Sequence, residues 1–174
     1  SAVVAGDGSI SIDKPLLKLS PVVMAHNWNT MGAHAKKDAS GGESGFRISI
    51  DQSNSLDGSL KASIGDDGSF NADFAFTSDA ELEVNTVCLT TSFDSGLLGG
   101  GVWNADEASG AFPVEKAEKP SIFSGVVTRL AITWPGQSVE DVEFFFPSPT
   151  RILLQDNREW NSNSFTLRIS PEYT

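Results

Sequence analysis

The sequence predicts an all-β fold, an antiparallel β-sandwich of jelly-roll type with about ten strands and little helix. The first observation is that apolar residues recur at every second position, as Phe70, Ala72, Phe74 and Phe76 do, which is typical of a strand with one buried face. The second is that Gly, Asp and Pro turn signals separate these runs. The third is that no window of a dozen residues has the apolar spacing of an amphipathic helix.

The strands are predicted in chain order from the alternating runs at 46–50, 60–64, 70–76, 130–134 and 165–169. The run 142–146 is apolar on both faces at its end, which indicates a covered central strand. Asp57-Gly58 and Pro135-Gly136 are expected to end strands, and Asp66-Asp67-Gly68 predicts a hairpin. Any helical turn is expected near 105–109.

Two long connections, 26–45 and 94–120, interrupt the rhythm of strands and turns. Connections of this length in a compact domain usually carry function or contain an unrecognised element. Residues 1–174 are predicted to form a single β-sandwich domain excised from a larger multidomain protein, because no linker or repeat divides the chain. The N-terminus has no initiator Met, basic region or apolar core of a signal peptide, so it is interpreted as a mature or excised end.

Charge limits the classes of partner. The 174-residue chain has 23 acidic and 12 basic residues, a formal net charge of −11. Such a surface repels phosphate backbones and anionic lipids, so we expect no nucleic acid partner and no membrane insertion. Neutral polysaccharides and oligosaccharides fit this charge, whereas an anionic polysaccharide would need a local basic patch.

No catalytic arrangement is predicted, and the domain alone is interpreted as a non-enzyme. A glycosidase needs two suitably spaced carboxylates, and a chain this acidic contains such pairs by chance. Of the acids, Asp156 and Glu159, which flank the loop containing Trp160, are the candidate pair for an acid/base role. The two histidines, His26 and His34, share one long loop, and no nucleophile-elbow motif is present.

The sequence predicts no cofactor with certainty, and a structural calcium ion is the one that its residues would allow. Calcium prefers oxygen ligands, and several aspartates stand beside glycines in predicted turns, although none forms an EF-hand loop. The single Cys88 lies between Val87 and Leu89 and is predicted to be a buried, unreactive apolar residue. The aspartates in question are Asp7, Asp51, Asp57, Asp66, Asp67 and Asp94.

Tryptophans supply the main candidate site. Trp134 continues an inward-facing strand pattern, whereas Trp28, Trp103 and Trp160 lie in polar loops with asparagine neighbours. Sugar rings stack their C–H faces on such rings while amides and guanidinium groups bind the hydroxyls. The predicted ligand-binding set is Trp160, Trp103, Arg158, Gln155, Asn104 and Trp28. The open alternative is that these tryptophans close the ends of the core.

The stretch 146–160 with the strand at 165–169, and the glycine-rich Trp103 loop followed by Ala111-Phe112-Pro113, resemble ancillary β-sandwich domains of bacterial glycoside hydrolases. The resemblance implies a non-catalytic carbohydrate-binding module that targets a polysaccharide for an attached catalytic domain. The alternative is a structural or interaction sandwich that packs against that domain and binds no sugar. Either would be extracellular, periplasmic or on the cell surface.

Overall fold

A computed structural model describes residues 2–12, 17–25, 27–36, 39–64, 70–136 and 142–171. Within these ranges the chain forms thirteen strands, one four-residue α-helix and one 3-10 helix. All strand pairs whose register is described are antiparallel. The all-β class with little helix is therefore confirmed, while the jelly-roll arrangement stays a prediction. No helix in the described part is long and apolar enough to cross a membrane.

The chain divides into two compact units, Ser1–Leu89 and Thr90–Thr174, with the boundary inside one strand. The prediction of one domain over 1–174 stays a prediction. The strands of the first unit are β1 Ala2–Val4, β2 Ile10–Ile12, β3 Leu17–Met24, β4 Thr30–Ala35, β5 Glu43–Ser49, β6 Ser55–Ile64 and β7 Phe70–Thr77. The boundary strand is β8 Thr86–Asp94.

In the first unit, β3, β4, β5, β6 and β7 pair in that order, and β2 joins β3 to β1. The alternation read from the sequence is the alternation of burial: Phe46 and Ile48 are fully buried, and so is Leu60 on the neighbouring β6. Cys88 is buried too, as predicted. The core of the unit comprises Ile10, Val23, Phe46, Ile48, Leu56, Leu60 and Val87.

The second unit contains α1 Ser95–Leu98, β9 Val102–Ala105, β10 Ala108–Ala111, β11 Ser121–Thr133, β12 Val142–Asp156, the 3-10 helix Asn157–Trp160 and β13 Ser164–Ser170. Its strands pair in the order β10, β9, β11, β12, β13. Buried aliphatic residues of β11, β12 and β13 form its core, and Phe112 packs on Phe165 with ring centroids 5.2 Å apart. Trp134 is half-buried and meets Phe93 edge to face.

Several local predictions are corrected. Asp57-Gly58 lies inside β6 rather than in a turn, because the strand continues past it opposite Arg47 and Phe46. Each long connection contains elements: β4 in the first, and α1, β9 and β10 in the second. Residues 105–109 form a β-turn between β9 and β10 instead of a helical turn. Phe145 on β12 is exposed, so that segment is not covered on both faces. The Asp66-Asp67-Gly68 turn lies outside the described residues.

Candidate functional site

One end of the second unit is built around a buried ion pair between Asp156 and Arg158. Asp156 ends β12 at 1% exposure, and its carboxylate accepts hydrogen bonds from the Arg158 Nε (2.9 Å), Nη2 (2.9 Å) and backbone N–H (3.1 Å). The Ala117 N–H donates to the same carboxylate at 3.2 Å. Burial raises the pKa of Asp156, but these hydrogen bonds outweigh it and the net direction is down.

The guanidinium group of Arg158 also binds the loop that follows β10. Nη1 donates to the Val114 carbonyl at 2.6 Å, and Nη2 donates to the Pro113 and Glu115 carbonyls at 3.0 Å each. The guanidinium also lies 5.2 Å from the centroid of the Phe165 ring. An arginine with this many internal partners is a brace between two loops, and few of its donors remain for a ligand hydroxyl.

Trp160 lies at the end of the 3-10 helix that this brace supports. Its side chain is 57% exposed, and Asn161, which follows it, takes the left-handed conformation that ends the helix. Glu159 pairs with Lys116 at 2.8 Å, which adds a second link from the helix to the 113–117 loop. Trp160 is thus an open ring on a backbone held by two ion pairs.

Trp103 is placed differently from Trp160. It lies on β9 at 7% exposure, its ring is 4.8 Å from the Phe123 ring, and Gly110 lies directly across the strand pair beneath it. Its indole Nε1 is buried without a hydrogen-bond partner among the described residues. Burial of this kind favours the core-closing alternative for Trp103 over an open stacking plane.

Asn104 is half-buried on β9, and strand alternation turns it to the opposite face from Trp103. It pairs with Ala131 on β11, which pairs in turn with Glu143 near the start of β12. Gln155 lies twelve residues after Glu143 on β12, beyond a register shift in the pairing of β11 with β12. Gln155, Arg158 and Trp160 thus lie together where β12 ends, whereas Asn104 lies on β9 and pairs with Ser109 and Ala131.

Gln155 is half-buried opposite Thr166 of β13. Its side-chain Oε1 is buried and accepts no hydrogen bond from any described residue. Because this oxygen is buried, a ligand could reach it only after rotation of the side chain. The role of Gln155 as a hydroxyl partner stays a prediction.

Trp28 belongs to the first unit, at the tip of the β3–β4 hairpin, and is 63% exposed. Its N–H donates to the Ala25 carbonyl at 2.8 Å, and the Ala25 N–H donates to the Asn29 carbonyl at 2.9 Å. The hairpin holds Trp28 at φ 66°, in the left-handed region that favours glycine and asparagine. A bulky side chain in this conformation is strained by about 1 to 2 kcal/mol. Asn27 and Asn29 beside it are exposed amides.

Neither a protein-family model, nor a curated protein, nor a solved structure matches the chain.

The described aspartates of the calcium prediction are engaged in local structure. The Ser9 hydroxyl donates to Asp7, Asn54 donates to Asp51, and Arg47 donates to Asp57. Asp94 caps α1 through the Gly96 and Leu97 N–H groups. No group of three or more His, Cys, Asp or Glu side chains in the described ranges is arranged to hold a metal ion. Asp66, Asp67 and His26 lie outside those ranges, and the calcium ion stays a prediction.

Three exposed apolar residues were not predicted. Leu97 of α1, Val114 and Phe145 are each mostly exposed. Leu97 and Val114 lie on segments adjoining the brace, since Val114 accepts from Arg158 and the α1 Ser95 N–H donates to Asn163. Exposure of a single apolar residue depends on which strand pairs beside it, so no pattern in the sequence marks these three.

Proposed function

We propose that this chain is a non-catalytic carbohydrate-binding module that directs an attached polysaccharide-degrading domain, of the bacterial glycoside hydrolase type, to its substrate outside the cytoplasm. The observation that carries the proposal is that Trp28, at a hairpin tip, and Trp160, at the end of a 3-10 helix, are exposed at 63% and 57%, each beside an asparagine. Exposed flat rings with amide neighbours are what sugar stacking requires.

The backbone of Trp28 strengthens the proposal. Glycine or asparagine would close the same hairpin without strain, so folding gives no reason for a tryptophan there. Strained residues with exposed side chains concentrate at functional positions. Trp160 differs in that its preceding brace holds the ring's backbone in place, which reduces the entropy lost when a ligand binds.

The alternative is an interaction domain that packs against a catalytic domain and binds no sugar. Two observations favour it: Trp103 is buried, and the guanidinium of Arg158 is engaged by carbonyls and a carboxylate. Under this alternative the exposed Trp28 and Trp160 would be contacts for protein. Binding measurements on isolated chain separate the two functions, since only the module binds polysaccharide alone.

The variants Trp28→Gly and Trp160→Ala test the proposal that the chain binds polysaccharide. Losing one stacking ring is expected to weaken polysaccharide binding by about tenfold or more, because each ring contributes about 1 to 3 kcal/mol. Trp28→Gly should leave the free energy of unfolding unchanged or raise it by up to about 1 kcal/mol, because strain is relieved. Affinity electrophoresis against a panel of polysaccharides and urea unfolding measure the two effects.

Trp103→Phe is the matched control, because that ring is buried. It should lower stability with binding retained. A parent chain that binds no polysaccharide in the panel would contradict the proposal and favour the interaction domain.

A further inference from the structure

The outer face of β11, β12 and β13 carries two arginines in an otherwise acidic chain. Strand alternation places Arg151, Leu153 and Gln155 of β12 on this face, opposite the buried Ile152 and Leu154. Arg168 of β13 pairs with Leu153, so the two arginines are diagonal neighbours. We call this the arginine face; its residues are Ser124, Val126, Arg151, Leu153, Gln155, Thr166, Arg168 and Ser170.

The arginine face differs from the surroundings of the other arginines. Arg47, Arg129 and Arg158 each bind a carboxylate, on Asp57, Glu143 and Asp156 respectively. The guanidinium groups of Arg151 and Arg168 make no ion pair or hydrogen bond with any residue in the described ranges. None of the eight residues of the face is acidic. Glu172 lies outside the described residues.

We infer that the arginine face binds a polysaccharide built of carboxylated sugars, with Arg151 and Arg168 each holding a sugar carboxylate. The inference rests on the proposed carbohydrate-binding function and names its substrate class. The guanidinium fork matches a planar carboxylate through two parallel hydrogen bonds. Diagonal neighbours across paired strands have Cα atoms about 7 to 8 Å apart, a span that two long side chains adapt to successive acidic sugars.

The rest of the face suits the neutral part of such a ligand. Leu153 lies beside both arginines and offers an apolar surface for sugar C–H groups. Gln155 carries an amide group beside them, and Thr166 carries a hydroxyl that accepts a hydrogen bond from the Asn157 side chain. A net charge of −11 repels anionic polymers at long range, so binding depends on these two local cations.

The test compares two double variants of the whole 174-residue chain that each remove two positive charges. Arg151→Gln with Arg168→Gln alters the arginine face. Lys18→Gln with Lys61→Gln is the control, at exposed lysines of the first unit. Electrophoresis runs in gels containing polygalacturonate, dextran sulfate or neutral polysaccharides, with a polymer-free gel as reference. Thermal unfolding checks the fold, and Arg151→Gln alone, at an exposed position, replaces the double variant if that one unfolds.

We expect polygalacturonate to retain the parent, the arginine variant to bind about tenfold or more weakly, and the lysine control to change by less than about twofold. Equal losses in both double variants would show general charge attraction and overturn the inference. Retention by dextran sulfate equal to that by polygalacturonate would also overturn the carboxylate assignment. A parent retained by neutral polysaccharides alone overturns the inference while supporting the proposed function. A parent retained by no polymer overturns both.

Discussion

Among the described residues, Asp156 is the one buried carboxylate. It stays ionised because the Arg158 guanidinium donates hydrogen bonds to it. Its pKa direction is the reverse of what a glycosidase acid requires, because that acid must hold its proton near neutral pH. Arg158 neutralises the carboxylate and at the same time fixes the 113–115 carbonyls. Asp156, Arg158 and Glu159, which the sequence indicates as candidate polar site residues, thus stabilise the backbone that carries Trp160.

The ionisation of Asp156 is expected to make the free energy of unfolding depend on pH. Its folded-state pKa lies below the unfolded value of 3.8, so its contribution to stability is complete above that value and is lost as pH falls through the folded pKa. Asp156→Asn should lower the free energy of unfolding at pH 7 by about 3 kcal/mol, because Arg158 loses its partner. The difference between parent and variant should narrow by pH 3.

Urea unfolding at pH 7 and pH 3 measures this difference. Asp73→Asn is the control, at an exposed carboxylate in mid-strand on β7. A difference for Asp156→Asn that is the same at both pH values would contradict the assigned role of the carboxylate.

At the scale of elements, a glycine opposite an aromatic ring recurs in both units. Gly58 pairs with Phe46 across β5 and β6, and a Cβ on Gly58 would lie 2.2 Å from the ring. Gly110 pairs with Trp103 across β9 and β10, where a Cβ would lie 2.6 Å from the ring. In each case the ring covers the glycine of the neighbouring strand, so a large side chain packs flat on the sheet.

Gly58→Ala should therefore destabilise the protein by about 1 to 3 kcal/mol, because the added methyl group displaces the buried Phe46 ring. Gly32→Ala is the matched control, since Gly32 is also in a strand and its Cβ would meet nothing within 4 Å. That variant should be neutral or slightly stabilising. Thermal unfolding measures the stability of both variants. Equal melting temperatures would contradict the prediction that a Cβ at position 58 displaces the Phe46 ring.

At the scale of the whole molecule, charge decides which polymers approach. Duplex DNA is anionic, as the carboxylated polysaccharide is, but tight binding to DNA at physiological salt uses about 6 to 10 phosphate contacts. The arginine face supplies two cations, and the chain as a whole is at −11. We expect no mobility shift of duplex DNA at about 0.15 M salt with micromolar protein. A shift abolished by the arginine variant would show that the face accepts phosphate.

The sequence by itself determined several of the strands, because burial of one strand face produces a local alternation of apolar and polar residues. The runs at 46–50, 70–76 and 165–169 lie within β5, β7 and β13 apart from Ile50, which directly follows β5. It also determined the charge, and the buried position of Cys88 within an apolar strand. The short β4 and β9 were hidden in apparent loops, because their stability comes from neighbouring strands rather than from their own residues.

Only the tertiary structure decided which tryptophan side chains are buried and which are exposed. Trp103 and Trp160 have similar polar neighbours in the sequence, yet strand pairing buries the first over Gly110 and leaves the second open. The partners of Arg158 at 113–115 are more than forty positions away, and local pattern carries no information about such contacts. The arginine face arises in the same way: Arg151 and Arg168 become neighbours because β12 and β13 pair in one particular register, and register follows from the buried face of the whole sheet.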